Sequence, residues 1–99
     1  MKQLKDVLYK TGILEVAGST AVFITDISFD SRKVRQGSLF VAVRGTLSDG
    51  HNFIAQAVAD GAVAVVCEEL PDQLSSHVTY VKVGDAAMAL GIIASNFFN

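Results

Sequence analysis

The sequence predicts an α/β domain, with a small sheet, a right-handed βαβ crossover and flanking helices. Leu39–Val43 is an unbroken apolar run with the β-branched and aromatic residues of a strand covered on both faces, and Ala62–Cys67 is a second unbroken apolar run. Between them, Phe53, Ile54, Ala57 and Val58 mark one side of a helix, and Gly61 stands where a left-handed C-terminal cap belongs. Strand, helix and strand in so short a span close as a right-handed crossover joining parallel strands.

The other elements are read in chain order. Leu4, Val7 and Leu8 recur at helical spacing while Lys2, Lys5, Asp6 and Lys10 fall elsewhere, which predicts a short amphipathic helix ending near Gly12. From Gly18 the pattern turns β-like, with Val22, Phe23, Ile24, Ile27 and Phe29 interleaved by Thr25, Asp26 and Ser28, so a strand should end at Phe29. Lys33–Ser38, with lone apolar Val34 and turn-forming Gly37, should be a tight loop into a central strand, Leu39–Val43. Pro71 and the polar residues 72–77 break the pattern after Cys67. Val78, Tyr80, Val81 and Val83 then suit a strand, and Asp85 suits the N-cap of a last helix lined by Leu90, Ile93 or Ala94, and Phe97.

Composition removes several classes of function. A chain of 99 residues fits one domain that takes roughly 60–70% of its unfolded surface out of water. A formal net charge of −2, with no run of Lys or Arg, argues against a nucleic-acid partner, which requires a clustered basic face. Cys67 is the only cysteine, so no disulfide closes within the chain and a reducing compartment is expected. No apolar stretch reaches about 18 residues, and MKQLKDVLYK lacks a secretory apolar core, so no membrane partner and a cytoplasmic location are expected. The terminal Phe97-Phe98-Asn99 leaves apolar surface that a following domain would cover, which suggests a truncated chain.

Two loops carry the candidate chemistry. Gly45 and Gly50 have the G-x-x-x-x-G spacing of a phosphate-cradling loop between strand and helix. His51-Asn52 follows instead of Lys-Ser or Lys-Thr, and Asp49 brings negative charge, so a nucleotide triphosphatase is disfavoured. The same spacing suits a plain connector in which Ser48 or Asp49 caps the helix. Asp30-Ser31-Arg32 follows a strand end, where ligands sit in open α/β sheets. Ser31 can donate and accept there, and Arg32 can grip a phosphate or carboxylate. A Ser turn with an Arg–Asp surface pair would read identically. His51 and His77 have no neighbouring ligands at short spacing, so no metal site is expected. Cys67 has no sequence-local base and suits a buried inert thiol. With no nucleophile, acid–base pair or metal cluster, no catalytic residue is assigned, and the chain reads as a recognition domain.

At these loops the sequence resembles the amino-terminal domain of the bacterial Mur ligases. The matching words are Asp30-Ser31-Arg32, Gly37-Ser38-Leu39-Phe40-Val41-Ala42, Asp49-Gly50-His51 with Phe53-Ile54, and Gly61-Ala62 with Ala64-Val65-Val66, in order and at fitting spacing. The resemblance covers about residues 2–99 and is specific mainly from Ile27 to Val66. It implies that residues 1–99 form a UDP-binding domain of a larger ligase, one that builds the peptide of the cell-wall precursor in the cytoplasm. The likeness is greatest to the member that adds the third amino acid, diaminopimelate or lysine, to UDP-N-acetylmuramoyl-L-alanyl-D-glutamate. The member that adds D-alanyl-D-alanine has similar words.

The resemblance further implies that Phe29 and Ser31 contact the nucleotide at the first loop, and Thr46, Leu47 and Ser48 at the second, where Thr46 and Leu47 would act chiefly through backbone atoms. Asp30, Arg32, Asp49 and His51 match family words in supporting roles. ATP and magnesium are implied for the whole ligase in a following domain, because the G-K-[ST] phosphate loop is missing from this chain. From a different class, a noncatalytic interaction module docking through Phe97 and Phe98 also fits the aromatic terminus.

Overall fold

The computed structural model describes residues 1–99. In chain order it contains β1 (Lys2–Gln3), α1 (Leu4–Val7), β2 (Ile13–Ala17), β3 (Phe23–Ile24), β4 (Asp26–Ser28), β5 (Ser38–Val41), α2 (Ile54–Ala59), β6 (Ala64–Cys67), β7 (Thr79–Val83) and α3 (Ala86–Phe98). Single 3₁₀ turns at Ser31–Lys33 and Gly50–Phe53 follow β4 and β5. Five strands form one sheet in the order β2-β7-β6-β5-β4, with β4 to β7 parallel and β2 antiparallel on β7.

The apolar runs behave as their composition requires. Successive side chains of a strand point to opposite faces. Leu39, Val41, Ala64, Val66, Val81 and Val83 therefore pack with α1 and α3, while Phe40, Ala42, Val65, Cys67 and Tyr80 pack with α2. Every residue of β5 and β6 is buried, which is why neither run alternates with polar residues. β5 lies inside the sheet as expected, although β6 takes the middle position.

The crossover helix ends at the predicted glycine. Gly61 has φ +114°, its N–H donates to Val58 O at 3.2 Å, and Ala62 N–H donates to Ala57 O at 3.0 Å. Those two bonds satisfy carbonyls that the helix leaves open. At α3, Asp85 caps as predicted, its Oδ1 accepting from Met88 N–H at 3.0 Å, and Glu68 Oε2 accepts from Ala86 N–H at 2.8 Å. Phe97 packs against the core, and Phe98 is exposed. No helix is long and apolar enough to cross a membrane.

Three local expectations change. The strand predicted from Gly18 to Phe29 is two short ones, because Thr25 N–H turns to Gly37 O and lets β3 pair with β1 while β4 joins the main sheet. The N-terminal helix is one turn, Leu4–Val7, continued by turns through Lys10, which adopts a left-handed φ of 64°. Sequence reading missed β2, an edge strand whose Ile13, Leu14 and Val16 are all exposed and so show no period of two.

Candidate functional site

Because β4 and β5 run parallel side by side, the loops leaving their carboxyl ends emerge together. They bound one cleft of about 580 Å³, within the range of small-molecule sites. Phe29, Asp30, Ser31 and Arg32 line it from the first loop; Gly45, Ser48, Gly50 and Phe53 line it from the second. Phe40 and Val43 complete the lining.

The first loop is shaped by its own short polar side chains. Ser28 Oγ donates to Asp30 O at 2.7 Å and accepts Asp30 N–H at 3.1 Å, which turns the chain immediately after β4. Asp30 then caps the 3₁₀ turn, its Oδ1 accepting Arg32 N–H at 3.0 Å. The Arg32 guanidinium donates back to both carboxylate oxygens, at 3.1 and 2.9 Å. These hydrogen bonds hold the Asp30 carboxyl down at about 2 and raise Arg32, so both charges are committed to each other. Ser31 is different: its hydroxyl has no partner in the chain, and it faces the cleft.

The second loop is a hairpin. Arg44 and Asp49 face each other as an antiparallel bridge, closed by Gly45 N–H to Ser48 O at 2.9 Å and Gly50 N–H to Val43 O at 2.8 Å. Gly50 is required by close approach, since a Cβ there would meet Val43 N at 2.8 Å and Val43 O at 3.0 Å. Asp49 Oδ1 accepts His51 N–H at 2.9 Å and lies 2.7 Å from His51 Nδ1, contacts that lower its carboxyl below the usual range. His51 Nε2 in turn lies 2.9 Å from Glu68 N, at the end of β6.

The predicted site residues thus separate into two groups. Phe29, Ser31 and Ser48 share the cleft, with Asp30 and Arg32 at its edge. Thr46 and Leu47 form the exposed hairpin tip and do not line it, and Leu47 is 99% exposed. No hydrogen bond within the chain engages the N–H groups of Thr46, Leu47 or Ser48, which leaves them available to a ligand. Asp49 and His51 lie behind the hairpin as its fastening, outside the lining. Phe53, expected on the face of the helix and not among the ligand contacts, is 41% exposed and lines the cleft, because Gly50–Phe53 is a 3₁₀ turn that precedes α2. Ser28 and Glu68, which shape the loop and cap α3, gave no sequence signal beyond their polarity.

A magnesium–triphosphate site does not fit these residues. The N–H groups of Gly45 and Gly50 are both taken up inside the hairpin, Asp49 stands beside them, and no lysine follows. No cluster of three His, Cys, Asp or Glu side chains is placed to hold a metal ion.

Comparison with known proteins places the chain in a family. A sequence model described as Mur ligase family, catalytic domain, matches residues 23–98. The UDP-N-acetylmuramoyl-L-alanyl-D-glutamate–2,6-diaminopimelate ligase of Cytophaga hutchinsonii is 54% identical over 98 residues, covering 98% of this chain and 20% of that protein. The ligase of the same name from Chlorobaculum tepidum is 47% identical over 100 residues, covering 97% of this chain and 20% of that protein. The chain therefore spans about a fifth of the length of the curated relatives it matches. Among solved structures, the D-alanyl-D-alanyl ligase MurF of Acinetobacter baumannii superposes with a TM-score of 0.65 at 34% identity, over 74% of this chain and 16% of that one. MurF of Thermotoga maritima, in complex with ADP, gives 0.61 at 33% identity, over 70% and 16%. The family match extends from β3 to the last turn of α3, over well more than half of the residues and both loops of the cleft, and the chain belongs to the Mur ligase family.

Proposed function

We propose that residues 1–99 are the substrate-binding domain of an ATP-dependent ligase that adds diaminopimelate to UDP-N-acetylmuramoyl-L-alanyl-D-glutamate in the cytoplasm. The cleft holds the uridine diphosphate end of that substrate. The observation that carries this reading is the meeting of Ser31 and Ser48, from separate loops, in one cleft that also has aromatic Phe29 and Phe53 in its lining. Phe29, 65% exposed, offers a platform to the base. The two hydroxyls and the unengaged N–H of Ser48 supply donors to the diphosphate.

A site of this kind discriminates by position instead of by net charge, which suits a chain of charge −2. ATP and magnesium are bound by a domain that follows in the same polypeptide, where amide formation takes place. Diaminopimelate is favoured over D-alanyl-D-alanine because the relatives at 54% and 47% identity are named for it. Titration calorimetry with UDP-N-acetylmuramoyl-L-alanyl-D-glutamate tests the reading. Ser31→Ala removes a hydrogen bond to a charged group and should weaken binding about tenfold or more, with thermal stability unchanged. A bulky residue at Ser48 should do the same by filling the cleft. Unchanged affinity in both variants would sink the proposal.

A further inference from the structure

The His51 side chain has its hydrogen bonds assigned by the backbone around it. The ring is largely buried, with Nε2 2.9 Å from the peptide nitrogen of Glu68 and 3.3 Å from that of Glu69. A peptide N–H only donates, so Nε2 must present its lone pair to both. The proton of the neutral ring is then on Nδ1, which donates to Asp49 Oδ1 at 2.7 Å. Asp49 belongs to the hairpin that brings Ser48 to the cleft, and it faces Arg44 across that hairpin. One imidazole therefore joins the end of β6 to the second loop. The other tie between them, Arg44 to Glu68 and Glu69 at 3.8 and 3.5 Å, is long, and Arg44 and Glu69 are exposed, so it holds little.

We infer, on the reading of the cleft as a uridine diphosphate site, that His51 is a positioning residue. As the neutral Nδ1–H tautomer it fixes the 44–49 hairpin against β6 and so sets the half of the cleft that meets the ligand. It touches no ligand itself. His51→Phe keeps the ring's bulk but leaves the Glu68 and Glu69 N–H groups without an acceptor and Asp49 without its ring donor. His51→Gln restores an acceptor to those N–H groups.

Three measurements on the protein decide the matter. Nitrogen-15 spectra of the His51 ring should show a protonated Nδ1 and a bare Nε2. Amide hydrogen exchange at Gly45 and Gly50, whose N–H groups close the hairpin, should speed up about tenfold in H51F, and affinity for UDP-N-acetylmuramoyl-L-alanyl-D-glutamate should fall by a similar factor. H51Q should recover most of both. A protonated Nε2 in the wild type would overturn the inference, as would wild-type exchange at Gly45 and Gly50 in H51F. Where H51F does not fold, the ring spectrum of the wild type decides it. Failure of the wild type to bind the substrate would overturn the assignment of the cleft, while the ring spectrum and ligand-free exchange would still decide whether His51 fastens the hairpin.

Discussion

Substituting Gly50 by Ala offers a sharp test of how the second loop is held. A Cβ at this position would stand 2.8 Å from Val43 N, 3.0 Å from Val43 O and 3.1 Å from Ala42 Cα, where ordinary contact begins at 3.4 Å. All three neighbours are backbone just beyond the end of β5, and Gly50 N–H is already drawn to Val43 O at 2.8 Å, so no side chain can swing aside. Overpacking of this kind costs about 1–3 kcal/mol. The alanine restricts the unfolded chain and returns about 0.4–1 kcal/mol. The net loss is about 0.5–2 kcal/mol, a fall in Tm of about 2–16 °C for a domain of this size. Because relief comes only from moving the hairpin, substrate affinity should drop as well, by about tenfold if some 1.4 kcal/mol of the strain persists in the complex. The control is the same chemical change at Gly91, within α3, where an added Cβ meets nothing within 4 Å. There alanine should stabilise by about 0.5–1 kcal/mol through helix propensity alone. Thermal unfolding followed by circular dichroism, with calorimetry for the ligand, reads both. A G50A protein with wild-type Tm and affinity, or a G91A protein as destabilised as G50A, would refute the reasoning.

Acid stability should depend on Asp30. Its carboxyl is held at about 2 against an ordinary 3.8, first by the Arg32 side chain and then by the Arg32 N–H, so between those values the unfolded chain binds more protons than the folded one. The stabilising contribution is therefore complete above about pH 4 and lost as pH falls towards 2; Asp30→Asn should flatten the acid-unfolding curve in that window, and an Asp30 carboxyl that titrates in the ordinary range by carbon-13 spectroscopy would contradict this. Cys67 is buried between β5 and β7, and burial pushes its thiol up to about 11. An aromatic disulfide reagent at pH 8 should leave the native protein unmodified and react with one thiol after denaturation; rapid modification of the folded protein would show that the strand opens locally.

The fold was legible where packing and sequence pattern coincide. Leu39–Val43 and Ala62–Cys67 announce themselves because strands buried on both faces cannot alternate, and Gly61 because only a left-handed residue permits the turn against Gln36, whose Cα would lie 2.7 Å from a Cβ there. β2 was illegible for the opposite reason. It pairs with β7 through its backbone at the sheet edge and exposes Ile13, Leu14 and Val16, so its existence depends on a partner more than sixty residues away. The division of the 18–29 segment was hidden likewise, since Thr25 turns in response to Gly37 on another part of the chain.

The candidate site divides along a similar line. Residue types in the two loops were legible, and the parallel pairing of β4 with β5 accounts for their convergence. What a sequence does not display is which polar groups are already engaged. Arg32 has the chemistry of an anion anchor, yet Asp30, two residues earlier, takes two of its donors and balances its charge. His51 has the chemistry of a base, yet both ring nitrogens are occupied by the hairpin and by β6. Removing the committed groups leaves the Ser31 and Ser48 hydroxyls, a few N–H groups at the hairpin tip and two aromatic rings. The strongest ionic groups of the loops thus serve to hold weaker neutral donors in place. Preorganised neutral donors can read a diphosphate without a basic surface, because the ordering cost that a flexible lysine would meet on binding has already been met in folding the loops.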